Sequence, residues 1–255
     1  MGIITNFISQ LPYYLLGLPA ILISLSFHEM AHAYVAYKLG DSTAYNFGRV
    51  TMNPLRHIDP IGFICMILFH FGWAKPVPIN SRNFRKPKRD MALTALAGPA
   101  SNLILAIAFV IVLRLAVFVE TSVFGSETIN EIFYSLNHGY TVEVSKAFTA
   151  SAILAYMLYD GVVINISLAI FNFIPIPPLD GSRILYIILP TKIYFGIMKY
   201  EKYIYIALMV LLFTGFLDLP LSFLVTSLLN LLFKISFMPI ELFKILEYVS
   251  SGLFG

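Results

Sequence analysis

The stretch "SLSFHEMAHAYVAYKLG", Ser24 to Gly40, sets two histidines and a glutamate at the end of a long apolar run. In a solvated helix the same residues would form an ordinary polar stripe. Composition excludes that setting: 58% of the 255 residues are hydrophobic, 12% are charged, and the mean hydropathy is +0.81. A soluble domain of this length cannot cover so much apolar surface. Several runs approach or exceed the ~20 apolar residues needed to cross the hydrocarbon core of a bilayer. The chain is therefore expected to be an all-α polytopic membrane protein. Ionisable groups inside such a span are costly, so a functional reason is their default explanation.

Working outward from that stretch gives about five to six membrane helices in one integral domain, residues 1–255. A first span covers about Leu11 to Tyr37. The segment that follows, "AYNFGRVTM" at Ala44 to Met52, has the β-branched and aromatic content of a short β-hairpin. Ile61 to Ala74 is apolar but too short to cross comfortably, and is expected to be a re-entrant segment. Lys75 to Asp90 carries six basic residues against one acidic, which places it in the cytoplasm by the positive-inside rule. Met91 to Val119 crosses outward. Glu120 to Val144 holds four glutamates and no lysine or arginine, as expected of an external loop. Ala147 to Ile174 returns, with "YDG" at Tyr159 to Gly161 as a candidate break. Tyr203 to Leu217 and Leu221 to Ile235 supply two further spans, and "PIELFKILEYV" near the C-terminus has the pattern of an interfacial amphipathic helix.

The N-terminus lacks the basic flank of a cleavable leader, so the first run is expected to stay as an anchor. The single cysteine, Cys65, sits in an apolar segment, which argues against a thiolate metal site and for packing. No nucleic-acid partner is expected. The partners implied are the lipid bilayer and a membrane-spanning protein.

Residues four apart share a helix face. His28 and His32 can thus aim two ring nitrogens at one metal ion while Glu29 stands beside them. HExxH is the zincin signature, in which two neutral histidines hold Zn²⁺ and the glutamate takes a proton from the attacking water. A third protein ligand is required. Asp180 in "PPLDG" fits best, being the acidic residue just past another span on the same side; Asp59, His57 and Asp160 are the rivals. Alone, "PPLDG" would be a plain turn, and only its pairing with HExxH makes it a candidate ligand.

Four blocks, "HEMAH" at His28 to His32, "GRVTMNPLRHIDPIG" at Gly48 to Gly62, "FGWAKPVPIN" leading to "AGPASN", and "NFIPIPPLDGSR" at Asn172 to Arg183, resemble the site-2 protease family of intramembrane zinc metalloproteases, peptidase family M50. The likeness covers most of residues 24–185 and is to the compact branch without PDZ or CBS domains. It implies a catalytic core over about residues 11–185, followed by C-terminal helices over about 186–255. It implies one Zn²⁺ per chain held by His28, His32 and Asp180, with Glu29 as catalytic base, and regulated proteolysis of a transmembrane helix. It links Asn172, Pro175 and Pro177 to substrate handling. Asn102 could donate to the developing oxyanion, or belong to helix packing through "AGPAS". His57 and Asp59 match the second block with a structural role expected; His70 and His138 are expected to be ordinary histidines. The sequon "NIS" at Asn165 to Ser167 lies inside a span and is expected to be inert.

The competing classes are a catalytically silent relative that scaffolds helices and, ranked lower, a metal transporter. Retention of Glu29 counts against the first, and the scarcity of other ionisable residues in the spans against the second. The expected location is a prokaryotic plasma membrane with the active site toward the cytoplasm. Oligomeric state and substrate identity stay open.

Overall fold

A computed structural model describes residues 3–69, 72–124 and 146–235. Its helices are α1 (Ile3–Lys38), α2 (Thr43–Asn46), α3 (Pro60–Phe69), α4 (Pro87–Phe124), α5 (Lys146–Phe173), α6 (Asp180–Ile184), α7 (Thr191–Met198), α8 (Glu201–Phe213) and α9 (Asp218–Ile235). Four helical stretches have the length and composition to cross a membrane: Leu15–Lys38, Pro87–Val119, Ile153–Phe173 and Asp218–Ile235. The fold is thus helical with four membrane-length apolar helices among the described residues, fewer than the five to six expected. The expected span at Tyr203 to Leu217 accounts for the difference. Helix α8 has 13 residues, about 20 Å at ~1.5 Å per residue, short of the ~30 Å hydrocarbon core. It ends at Phe213, and Gly215, at φ +70°, lies in the turn that leads into α9.

The expected β-hairpin at Ala44 to Met52 is also corrected. No strand occurs among the described residues, and Thr43–Asn46 is helical. Asp41 is the cause. Its Oδ1 accepts from the Thr43 N–H at 3.1 Å and from the Thr43 hydroxyl at 2.5 Å, satisfying the start of a helical turn. Gly48, at φ +66°, ends that turn with Gly48 N–H donating to the Tyr45 carbonyl and Arg49 N–H to the Ala44 carbonyl. These bonds consume the backbone groups that a ladder would have used. In α5 the outcome is the reverse, because "YDG" causes no break and the helix runs unbroken from Lys146 to Phe173. Of the loop expected over Glu120 to Val144, residues 120–124 continue α4; the rest of it, His70, His138 and the expected amphipathic tail lie outside the described residues.

The segment expected to re-enter contains α3, whose 10 residues are too few to cross. Its flanks meet: Ile58 pairs antiparallel with Ala74, and the Lys75 N–H donates to the His57 carbonyl at 2.7 Å. A Cβ on Gly62 would collide with the Trp73 backbone, so glycine permits this approach.

The long helices are polar or small within and apolar without. On α1 the buried positions Ala20, Ser24, His28, His32 and Ala36 recur every fourth residue, while Leu15, Ile23, Tyr34 and Tyr37 are exposed. On α4, Ala95, Asn102, Ala106, Val110 and Leu113 are buried, and Ile104, Ile107, Ile111, Leu115 and Phe118 face outward. Small residues inside let backbones approach, and branched apolar side chains outside suit hydrocarbon.

The chain divides into two compact units, one drawn from Met1–Ala20, Ala106–Val163 and Leu229–Gly255, the other from Ile21–Leu105 and Ile164–Leu228. In the first, Gly17 admits the Asp160 carboxylate, Gly161 lies against the Phe109 ring, and Tyr159 stacks on Phe233 at 6.3 Å. The second holds the residues with chemistry. There Ala33, Ala44 and Val77 form a small core with Val50 and Ile79. Asp41 also ties the exit of α1 to the loop before α4, accepting from the Asn80 N–H at 2.7 Å and from Asn83 Nδ2 at 2.8 Å.

Burial alone would raise the Asp41 pKa, but the hydrogen bonds from Thr43, Asn80 and Asn83 outweigh it and hold the pKa below the ordinary aspartate value. A carboxylate with a depressed folded pKa stabilises the fold above its unfolded pKa of about 3.9, and that contribution is lost as pH falls through the folded value. Asp41→Asn is therefore expected to melt earlier than wild type at neutral pH, with the gap closing below about pH 3–4. Thermal denaturation in detergent across pH checks this, and a gap independent of pH would overturn it.

Candidate metal centre

The periodicity of α1 carries His28 and His32 on its buried face, 5% and 6% exposed. Their rings meet edge to face with centroids 4.6 Å apart and Nε2 atoms 3.0 Å apart. Asp180 arrives from the segment after α5. The prolines at Pro175, Pro177 and Pro178 end the helical run of α5, and Asp180 opens α6. Gly181 then packs against the chain it has just left, since a Cβ there would strike the carbonyls of Phe173 and Ile174. The result sets Asp180 Oδ2 at 3.0 Å from His32 Nε2 and 3.2 Å from His28 Nε2. These three side chains form the metal-compatible cluster among the described residues.

The other ring nitrogens decide what that cluster can hold. His32 Nδ1 lies 2.7 Å from the Thr94 carbonyl, and His28 Nδ1 lies 2.5 Å from Asn102 Oδ1. A carbonyl oxygen only accepts, so each Nδ1 carries a proton, and in the neutral imidazole that leaves the Nε2 lone pair for a metal ion. Two lone pairs and a carboxylate oxygen thus converge at 3.0–3.2 Å. Acceptors at that separation repel unless a cation lies among them. Tetrahedral zinc, with bonds of ~2.0–2.1 Å, sets its ligand atoms about 3.3 Å apart. The donor set and its carbonyl-bound ring nitrogens fit such an ion, leaving a fourth position open.

Helix α4 makes the close approach possible. A Cβ on Gly98 would collide with His32 Nε2 and with the Cε1 atoms of both histidines. The "AGPASN" block is therefore a wall of the site, with Gly98 against the rings and Asn102 bonded to one of them. Asn102, expected as an oxyanion donor, uses its carbonyl for His28 and donates from Nδ2 to Asn165 Oδ1 at 2.8 Å. Glu29 is half-buried on α1, and its charge acts on His32, Arg49 and His57.

The remaining sequence candidates have other partners. Asp59 Oδ1 accepts from the N–H groups of Ile61 and Gly62 and so caps α3. His57 is buried, with Nε2 donating to the Thr51 carbonyl at 2.8 Å. Burial pushes its pKa below the ordinary histidine value; the Thr51 carbonyl opposes that shift and the Arg49 charge adds to it. Arg49 itself is pinned by the carbonyls of Lys75, at 2.5 Å, and Pro76, at 3.1 Å. Asn172 folds back on its own helix, donating to the Leu168 carbonyl at 3.0 Å. Pro175 is exposed and Pro177 buried at the end of α5. Sequence reasoning missed Gly98, the Thr94 carbonyl and Asn165. Only the last had a signal, a polar amide inside an apolar span.

Among known proteins, the chain is 37% identical over 207 residues to YwhC of Bacillus subtilis (strain 168), covering 81% of this chain and 83% of that protein. It is 26% identical over 173 residues to MJ0611 of Methanocaldococcus jannaschii, covering 68% and 70%. It is 31% identical over 104 residues to Rip2 of Mycolicibacterium smegmatis, covering 39% and 40%. All three carry provisional zinc metalloprotease names. No solved structure matches. The family model for "Peptidase family M50" matches residues 16–217, a range that contains every residue of the cluster, and the chain belongs to that peptidase family.

Proposed function

We propose that this chain is an intramembrane zinc metalloprotease that hydrolyses a peptide bond within or next to a transmembrane helix of a membrane protein. In this reading His28, His32 and Asp180 hold one zinc ion and Glu29 is the general base. The observation that carries it is the convergence of the two Nε2 atoms and Asp180 Oδ2 at 3.0–3.2 Å, with both Nδ1 atoms held at carbonyl oxygens. Zinc bound there supplies Lewis-acid polarisation of the scissile carbonyl and a water of lowered pKa.

The chain's own residues do the rest. Glu29 follows His28 directly on a rigid helix, so it holds a fixed position beside the reacting atoms. It takes a proton from the attacking water as the O–C bond forms. When the C–N bond breaks, it passes that proton to the leaving nitrogen. Asn102 and the Thr94 carbonyl orient the two imidazoles. A helical substrate must first unwind, because its carbonyls are bonded four residues along. Residues 43–48, expected as part of a β-hairpin, are a helical turn and offer no free strand edge to the exposed backbone. The exposed Pro175 and Ile176, just before Asp180, are the better surface for an unwound segment. Asn172 and Pro177 shape that end.

The site is assigned to the cytoplasmic side of a prokaryotic plasma membrane. Support comes from the six basic residues of Lys75 to Asp90, a segment that leads into the first turn of α4, and from Arg183, Lys192, Lys199 and Lys202 after Asp180. No observation favours a scaffold or a transporter over this reading.

With a helical membrane substrate in reconstituted vesicles, Glu29→Gln is expected to cut the cleavage rate by ~10²–10⁴ while one zinc per chain remains. Unchanged cleavage overturns the role of Glu29. Gly98→Ala is expected to lose zinc, because its methyl enters the volume between the two histidine rings, while circular dichroism shows full helical content. A Gly98→Ala protein with wild-type zinc content would overturn the packing assigned to α4.

A further inference from the structure

The bond between His28 and Asn102 is the first of a line. Beyond Asn102, the Asn102 Nδ2 donates to Asn165 Oδ1 at 2.8 Å, and Asn165 Nδ2 donates to the Ser24 hydroxyl oxygen at 2.7 Å. Ser24, Asn102 and Asn165 are each 0% exposed. They come from α1, α4 and α5, so one unbroken line of side-chain hydrogen bonds joins three helices at the depth of the cluster. It returns to α1 one helical turn from where it began, since Ser24 and His28 are four residues apart.

We propose that Asn165 and Ser24 are positioning residues for the metal site, acting through Asn102 on the tautomer and orientation of His28. This rests on the reading of His28 as a zinc ligand. A cation at Nε2 requires the proton on Nδ1, and that proton sets the sense of every amide in the line. His28 donates to Asn102, Asn102 to Asn165, and Asn165 to Ser24. Bonds running in one sense polarise one another, more strongly in an apolar interior than in water, and a ligating histidine whose other nitrogen is held this way is a better ligand. The two histidines differ in this respect. His32 is held by the Thr94 backbone carbonyl, which no substitution removes, whereas the hold on His28 is made entirely of side chains. It also gives "NIS" at Asn165 a purpose unrelated to glycosylation. An amide here would be expensive in an apolar span unless its donor and acceptor were both used, and both are.

The test uses the full chain in detergent. Zinc affinity is read by competition with a chromophoric chelator, and ligand geometry by the visible spectrum of the Co²⁺-loaded protein. Asn165→Leu, similar in size and without donors, is expected to weaken zinc binding by ~10–100-fold and to shift the Co²⁺ bands. Ser24→Ala should weaken it in the same direction by less, and Ser24→Thr, which keeps the hydroxyl, should restore wild-type affinity. The Asn102→Leu/Asn165→Leu pair should be no worse than Asn102→Leu alone, since Asn165 acts only through Asn102. If Asn165→Leu lowers thermal stability but keeps wild-type affinity and spectrum, the line is mere helix glue and the inference is overturned. Should Asn165→Leu fail to fold, the Ser24→Ala and Ser24→Thr pair decides the matter by the same criterion. A wild-type protein that takes up no zinc overturns the ligand reading itself, an outcome distinct from normal uptake in every variant.

Discussion

Three ring-nitrogen and carboxylate atoms held within 3.0–3.2 Å of one another in an apolar interior are the constraint on which the arrangement around the candidate site depends. Left to themselves, two imidazole lone pairs and a carboxylate oxygen would separate. They stay together because each is fixed from behind: His32 by a backbone carbonyl, His28 by a side-chain amide, and Asp180 by a five-residue helix tucked under the end of α5. Two glycines set the distances. Gly98 lets α4 lie against the imidazole rings, and Gly181 lets Asp180 sit against the carbonyls of Phe173 and Ile174.

The surroundings of the site follow from solvent rather than from chemistry. In water a helix turns its polar face out; here α1 and α4 turn serine, histidine, asparagine, glycine and alanine inward and present isoleucine, leucine and phenylalanine outward. With lipid outside, apolar burial between helices contributes little, so close backbone approach and satisfied polar contacts carry the packing. The same selection of small inward residues that packs the helices also opens room for two imidazoles and a carboxylate.

Much of the site was legible in the sequence because it follows from period and depth. HExxH on a helix places His28 and His32 on one face, and an acidic residue just beyond a later span meets them at the same level. The partners behind them were less legible. Nothing local marks Thr94 as the owner of a bonded carbonyl, and Gly98 looks like any other small residue in a packing motif until two rings are seen against it. Asn102 was marked as an oxyanion donor or a packing residue, and its bonds to His28 and Asn165 were not foreseen. The fold was misread where short-range polar chemistry won over propensity. Val50, Thr51 and Tyr45 suggest strands, yet one aspartate, Asp41, supplies the acceptor that starts a helical turn at Thr43. The span count fell because hydropathy carries the apolar run on to Leu217, while the helix ends at Phe213 after 13 residues. In "YDG" the error ran the other way. Gly161 is needed for the approach of Phe109, and the helix continues through it.

The pairing of Ile58 with Ala74 has a consequence for how the architecture can vary. Because the chain departs and returns through one latch, reinforced by the bond from Lys75 to His57, the stretch between is a side excursion whose ends are already joined. Lengthening it by a flexible insert costs only the slow, logarithmic increment of loop closure. The start of α4, and with it the wall of the site, keeps its register. The excursion is thus a module that can be exchanged to face different surroundings without retuning the residues that do the chemistry.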